Sequence, residues 1–335
     1  MVELYFSFII PVYNRPQEIK ELLESLSLID NAFEVVIVED GSQNTCEDVV
    51  DEYKDKLNIS YYFKENSGPG DSRNFGMHRA KGNYFIILDS DVIVPEKYLK
   101  TVSTALSTNY LDCFGSGDKA LDSFSSVQKA IDFSMTSLIT TGGIRGGKQS
   151  KISRSYEPRS FNMGISRAAF LASGGFGRIH PGEDPDLSIR LKKLKFKVGY
   201  IHGAHVYHKR RTDFNKFALQ VYKFGLARPI LISRYPETSK LTYWFPFFYT
   251  IGLLIGLVLL LFKLYFIIYF YALYNFLVFV DSFVDYKNLK IALLSLIATN
   301  IQFSSYGLGF ISSYIKICIL KKIPEKTFPK LFFDK

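Results

Sequence analysis

The chain has 335 residues, enough for two or three structural units, with 47% hydrophobic and 16% aromatic residues and a formal charge of +9. The aromatic excess lies mainly after Tyr243, so the positive charge reads as attraction to anionic lipid and argues against a nucleic-acid partner. Three distant cysteines, Cys46, Cys113 and Cys318, form no CxxC pair; they give no sign of a disulfide framework or a zinc site and fit a reducing cytosolic face.

The opening stretch MVELYFSFIIPVYN carries Glu3, lacks a basic flank and stops at Pro11, so it reads as a strand rather than a signal peptide. The catalytic part is therefore expected on the cytoplasmic face. Tyr5 to Ile10 is strand-like, and Pro16 opens a helix with Ile19, Leu22, Leu23 and Leu26 at helical spacing. Phe33 to Val38 is a second buried strand, ending in Glu39-Asp40-Gly41-Ser42. A helix over Cys46 to Leu57 and a strand near Ile59 to Phe63 follow. This β-α-β-α-β alternation predicts an α/β fold with a mostly parallel sheet covered by helices.

Asn66 to Gly76 is a Gly/Pro loop running into a helix that holds Arg73 and Arg79; it lacks both GxGxxG and the P-loop Lys-Ser/Thr. Tyr84 to Leu88 is a fully apolar run, and at its end stand Asp89-Ser90-Asp91. Strand ends are where such folds place chemistry. Residues i and i+2 of an extended chain point to one side, so these two carboxylates can converge on a divalent cation; without one they repel. The plain alternative is an acidic turn.

Glu96 to Leu106 reads as a helix, Cys113 to Ser116 as a strand and Phe124 to Ile139 as a largely apolar helix. Thr141 to Arg159 then fills a Gly-rich stretch with Arg145, Lys148, Lys151, Arg154 and Arg159. It is either a solvated linker or a basic lid that meets an anionic substrate. Further on, Glu183, Asp184 and Asp186 crowd the beginning of a helix. One of the three suffices for the dipole and the cap, which leaves the others for chemistry. Val198 to Tyr207 is expected as a last strand, followed by His208 and the cations Lys209, Arg210 and Arg211.

From residue 205 to 240 there are eight Lys or Arg against two acids, interleaved with apolar residues. This pattern predicts a basic amphipathic helix lying in a membrane interface, with its apolar face in lipid. Tyr243 to Phe283 carries only Lys263 and Asp281 as charges, sufficient for two membrane helices. Ile291 to Leu320 is a third apolar stretch, interrupted by Asn300, Gln302 and Gly307. A third crossing would put the basic tail outside, so either the positive-inside tendency fails here or, as preferred, the stretch is a hairpin bent near Asn300 to Gly309 or an interfacial helix.

Taken in order, Pro11-Val12-Tyr13-Asn14, Glu39-Asp40-Gly41-Ser42, Arg73-Asn74, Asp89-Ser90-Asp91 and Gly182-Glu183-Asp184 resemble the motif set of family 2 inverting glycosyltransferases with the GT-A fold. The resemblance covers roughly residues 5 to 225. It implies that Pro11, Tyr13, Glu39 and Asp40 hold the nucleotide base and ribose. Arg73 would contact base or diphosphate, and Asp89 would face ribose or metal. Asp91 and His208 would bind Mn or Mg, and Asp184 would be the general base. Glu183, Arg145, Arg154 and Arg211 would contact acceptor or diphosphate. A departure follows the base: processive synthases of the family carry Gln-x-x-Arg-Trp, where this chain has Gln220-Val221-Tyr222-Lys223-Phe224. Lys lacks the guanidinium fork and Phe the indole face.

The expected organisation is a GT-A, Rossmann-like catalytic domain over residues 1–208 and an amphipathic interface segment over 209–240. Two to four transmembrane or re-entrant helices over 241–320 and a basic tail over 321–335 follow. The resemblance implies transfer of one sugar from a nucleotide-sugar, by family habit UDP-linked, to a lipid-linked saccharide at the cytoplasmic face of an inner membrane. The alternatives are a processive polysaccharide synthase, a polyprenyl-phosphate glycosyltransferase and a non-catalytic membrane scaffold. A nucleotidyltransferase would share the sheet and carboxylates but leaves the apolar helices unexplained.

Overall fold

The computed structural model describes residues 3–119, 124–142, 156–208 and 213–333. In chain order the elements begin with β1 (Phe6–Val12), α1 (Pro16–Leu26), β2 (Phe33–Asp40), α2 (Glu47–Asp51), β3 (Ile59–Lys64) and α3 (Pro69–Arg79). Next come β4 (Tyr84–Leu88), β5 (Val92–Ile93), α4 (Tyr98–Thr108), β6 (Cys113–Gly115), β7 (Asp118–Lys119), α5 (Ser126–Thr136) and α6 (Leu138–Thr141). They continue with β8 (Asn162–Ser166), α7 (Arg167–Ser173), α8 (Glu183–Lys193), β9 (Val198–Tyr200) and β10 (Val206–His208). The last are α9 (Phe214–Arg234), α10 (Leu241–Leu260), α11 (Phe266–Tyr286) and α12 (Leu289–Ser313). Two compact units result, one of residues 1–121, 151–209 and 332–335, the other of 122–150 and 210–331.

The first unit is built on a seven-stranded sheet in the order β3-β2-β1-β4-β8-β6-β9. β1 lies parallel to both β2 and β4, with Ile9 opposite Ile87 and Val12 opposite Glu39. β8 runs antiparallel to its neighbours β4 and β6. The central strands are buried on both faces, as their unbroken apolar runs require. On one face α1 packs with Ile19, Leu22, Leu23 and Leu26 fully buried. Met77 of α3 and Leu187 and Leu191 of α8 cover the other.

The α/β architecture with a mostly parallel sheet is as expected. The helix predicted over Cys46 to Leu57 is shorter, because after Asp51 the chain turns and only Tyr53 and Leu57 continue the buried face. The single strand predicted over Val198 to Tyr207 is split. β9 joins the large sheet beside β6, whereas β10 enters a small sheet in the order β5-β10-β7. Gly203, with φ +85, sits in the turn between them, a conformation open to glycine at no steric cost.

The second unit is helical. α10, α11 and the continuous helix Leu289–Ile319 are long and apolar enough to cross a membrane. Two expectations fail here. The hairpin expected near Asn300 to Gly309 is absent: α12 is one continuous helix through this stretch and runs on as a π-helical turn over Tyr314–Ile319. Asn300 does not break the helix, since its Nδ2 donates to Leu296 O within the helix at 2.8 Å and to Asn275 Oδ1 of α11 at 2.7 Å. The apolar face of α9 is covered by α12 and not left to lipid. Phe217, Val221, Ile230 and Leu231 are buried, and Gly225 and Gly309 let the two backbones approach so closely that a Cβ at either would overlap a carbonyl of the other helix.

Candidate active site

The register of the sheet places the chemistry. β1, β2 and β4 run parallel, so Asn14-Arg15, Asp40 and Asp89-Ser90-Asp91 emerge together at the carboxyl edge. The small sheet pairs His208 with Val92, one residue past Asp91. His208 Nε2 therefore lies 3.1 Å from Asp91 Oδ1, and Nδ1 lies 3.7 Å from Asp118 Oδ2. Asp89, Asp91 and His208 each offer a ligand atom within 4.8 Å of the others. Two hard carboxylates and an imidazole, partly buried at a strand end, form a donor set suited to Mg or Mn. Arg15 Nη1 donates to Asp91 Oδ2 at 2.5 Å. Together His208 and Arg15 hold the Asp91 carboxyl well below the ordinary carboxylate range in spite of burial.

Arg15 and Asp118 are absent from the sequence-based set. Parallel neighbours end at the same edge, so a cation just past β1 is within reach of carboxylates just past β4, a signal for Arg15 that is present in the sequence; Asp118 comes from the small sheet, which no local pattern marks.

Arg73 joins this cluster to the start of α8. It is buried and donates from Nη2 to Asp89 Oδ1 at 2.8 Å and from Nη1 to Glu183 Oε1 at 3.2 Å. Its guanidinium carbon sits 5.3 Å from the Phe176 ring centroid. Glu183 Oε1 also meets His180 Nδ1 at 2.8 Å, and Glu183 Oε2 accepts from Gly182 N at 2.9 Å. His180 and Arg73 push the Glu183 carboxyl down to about 2, against its burial.

Asp184 is treated oppositely. Its Oδ2 accepts from Ser160 N at 3.1 Å, while Oδ1 is buried and has no hydrogen-bond partner among the described residues. Burial and the neighbouring Glu183 charge push its carboxyl up to about 6. Adjacent carboxylates with pKa values driven apart are the signature of divided acid/base roles. Asp186 is occupied structurally, accepting from Arg190 Nε at 2.9 Å one turn on.

Of the base and ribose candidates Pro11 is half-buried, Tyr13 exposed, and Glu39 and Asp40 buried. Pro11 lies in β1, and Tyr13 just beyond it is 53% exposed. Glu39 is buried. Ser42 Oγ donates to it, as do Cys46 N at 2.9 Å and Cys46 Sγ at 3.0 Å. Asp40 Oδ1 accepts from Lys64 Nζ at 2.5 Å and Ser67 N at 3.0 Å, and Oδ2 from Gly68 N at 2.9 Å. Both carboxylates thus anchor loops around the edge. Arg145, Arg154 and Arg211 lie outside the described residues.

This arrangement gathers a donor set suited to a cation, a buried arginine and a raised-pKa carboxylate at the carboxyl edge of an α/β sheet, a combination typical of an enzyme site. Residues 7–170 match the family model "Glycosyl transferase family 2" and residues 147–283 match "Glycosyl transferase family group 2". The chain belongs to the family 2 glycosyltransferases and has the GT-A fold. It is 35% identical over 112 residues to the poly(ribitol-phosphate) beta-N-acetylglucosaminyltransferase TarS of Staphylococcus aureus strain Mu50, a match covering 32% of this chain and 20% of that relative. The chain therefore spans about a fifth of that relative's length.

Two solved structures share the fold. The mannosyltransferase PcManGT from Pyrobaculum calidifontis, in complex with GDP-Man and Mn2+, superposes with a TM-score of 0.59 at 13% identity over 96% of this chain and 89% of its own. Residues 1–349 of S. aureus TarS with UDP-GlcNAc superpose with a TM-score of 0.52 at 18% identity, over 92% and 91% of the two chains.

Proposed function

We propose that this glycosyltransferase moves one sugar, with inversion, from a UDP-sugar to a hydroxyl of a lipid-linked saccharide, and that Asp184 is its general base. The carrying observation is the Asp184 carboxylate itself: one oxygen is held by Ser160 N, the other is buried with no hydrogen-bond partner among the described residues, and burial beside Glu183 pushes the group up to about 6. Such an oxygen is a proton acceptor near neutral pH.

The acceptor oxygen forms the new bond to the anomeric carbon as the bond from that carbon to the diphosphate oxygen breaks. The electron pair leaves with the diphosphate, and the acceptor proton passes to Asp184 Oδ1. One displacement from the opposite face inverts the centre. A divalent cation held by Asp89, Asp91 and His208 would neutralise charge growing on the departing diphosphate, and Mn2+ in the PcManGT structure supports that assignment. Arg73, fixed between Asp89 and Glu183, adds a cation that needs no rearrangement at the moment of transfer. Pro11, Tyr13 and the loop at 66–68 anchored by Asp40 receive the nucleoside, and Glu39 keeps the separate loop at 41–46 in place through Ser42 and Cys46.

The lipid acceptor and an inner-membrane location, with residues 1–208 on the cytoplasmic face, are supported by three membrane-length apolar helices in the same chain. A second reading, transfer onto a polyol-phosphate polymer, is favoured by the 35% identity to a poly(ribitol-phosphate) transferase, whose structure with UDP-GlcNAc makes that the first donor to try.

Membranes holding the full chain, given labelled UDP-GlcNAc and other nucleotide-sugars with and without extracted lipid, are expected to yield labelled lipid whose new linkage is anomerically inverted by NMR. Equal transfer to a lipid-free saccharide would remove the lipid acceptor, label in polyol-phosphate polymer would favour the second reading, and retained configuration would remove the single displacement.

A further inference from the structure

A short segment far along the chain from every motif touches the site. Phe332 forms a β-bridge with Ile179, and Phe333 N donates to Arg178 O at 3.3 Å. The Phe333 ring then lies directly on Gly68, so that a Cβ at that glycine would overlap it, and its centroid is 6.1 Å from that of His180. Gly68 requires glycine twice over, for this contact and for its φ of +91.

These two contacts reach opposite sides of the site. Gly68 N donates to Asp40 Oδ2, and Gly68 caps α3, which carries Arg73. His180 holds Glu183, which holds Arg73 from the other side and adjoins Asp184. The 176–182 loop also meets the start of α3, where Gly70 lies against Gly177 O, and Asn74 of α3 bonds the backbone of Phe176 at 2.9 and 2.8 Å. These contacts lie at the Phe176 end of that loop and leave its His180 end to Phe333.

We infer that Phe332–Phe333 is a strap that pre-orders the donor-binding loop at 66–70 and the loop at 176–182 that leads to Asp184, with Phe333 a positioning residue for nucleotide binding. The inference rests on the nucleotide-sugar reading of the site. Its physical content is preorganisation: without the ring, the ligand must order both loops itself, and affinity falls by that entropy.

The test uses the full chain in detergent, with UDP and Mn2+ titrated calorimetrically and amide exchange followed by mass spectrometry. Phe333→Ala is expected to weaken UDP about five- to tenfold and to speed exchange in both loops, whereas Phe333→Tyr, which keeps the flat ring, stays within about twofold of the parent. A chain ended after Leu331 should match Phe333→Ala. A merely structural contact would lower the melting temperature and leave the dissociation constant of the folded fraction unchanged, overturning the inference. So would a Tyr variant as weak as the Ala one. If the parent binds neither UDP nor GDP, the donor reading falls; exchange then decides the strap alone, and unchanged protection of residues 66–70 and 176–182 in Phe333→Ala rejects it.

Discussion

The two units bury polar groups in opposite ways. In the sheet unit the buried polar side chains at the carboxyl edge are charged and interlocked: Arg15 with Asp91, Arg73 with Asp89 and Glu183, Lys64 with Asp40. In the helical unit they are neutral, and several are paired across helices. Tyr249 Oη donates to Asn300 Oδ1 at 2.6 Å, Asn300 Nδ2 to Asn275 Oδ1 at 2.7 Å, and Ser282 Oγ to Ser295 Oγ at 2.8 Å. Many of its large apolar side chains, among them Leu257, Tyr269, Phe270 and Phe276, face outward. Charges concentrated at one edge provide a field for a reaction with an anionic leaving group. Neutral pairs beneath an apolar exterior are what lipid tolerates. The difference separates a unit selected for chemistry from one selected for its solvent.

Perturbations should sort by unit. The largest effect is expected from removing Asp91: Asp91→Asn leaves His208 and Arg15 without their shared carboxylate and should lower transfer by about 10³-fold, with EDTA treatment of the parent doing the same. Added Mn2+ should restore the EDTA-treated parent and not the variant, as read from initial rates. Next is pH. Asp184 is raised to about 6, so below that value it is protonated and cannot accept a proton; kcat should fall about tenfold per unit on the acid side and level off above about 7. An acid limb centred near 4 would place the base elsewhere.

In the helical unit Gly309→Leu should force α9 and α12 apart, costing about 1–3 kcal/mol of stability in detergent, while UDP binding persists. The smallest effect is expected at Tyr249→Phe, which removes one interhelical hydrogen bond worth about 0.6 kcal/mol, measured as a small loss in the unfolding midpoint. If either helical change abolished nucleotide binding, the separation of roles would be wrong.

Much of the sheet unit was legible in the sequence because β1, β2 and β4 are apolar runs that stop at polar punctuation, and parallel strands stop at a common edge. Asp89 and Asp91 could be singled out for that reason, whereas Asp184 stood out as one of three acids at a helix start and Arg73 through the order of the family's motifs. The reversal of β8 was not legible. Asn162–Ser166 is as buried as its neighbours, and direction is set by a chain path that no local pattern records. His208 was found as a strand-end histidine, but its strand belongs to the small sheet, and that alone brings it to Asp91. The burial of α9 was missed because its apolar stripe is equally suited to lipid or to a helix, and only Gly225 and Gly309, matched across the crossing, distinguish the two. Phe333 stood in a tail with no periodicity to mark it.

The most direct test of the site is Asp184→Asn assayed for UDP binding, transfer and thermal stability together. The Asp184 carboxyl sits above its unfolded value near 3.8, so stability falls as pH rises from there through 6, and the ionised side chain is a burden at neutral pH. Asparagine keeps an oxygen for Ser160 N and carries no charge beside Glu183. The expected result at pH 7.5 is UDP affinity within about twofold of the parent, transfer reduced about 10²- to 10⁴-fold and a melting temperature no lower than the parent's. Transfer persisting near the parental rate in a protein that binds UDP normally would contradict the assignment of Asp184 as the base.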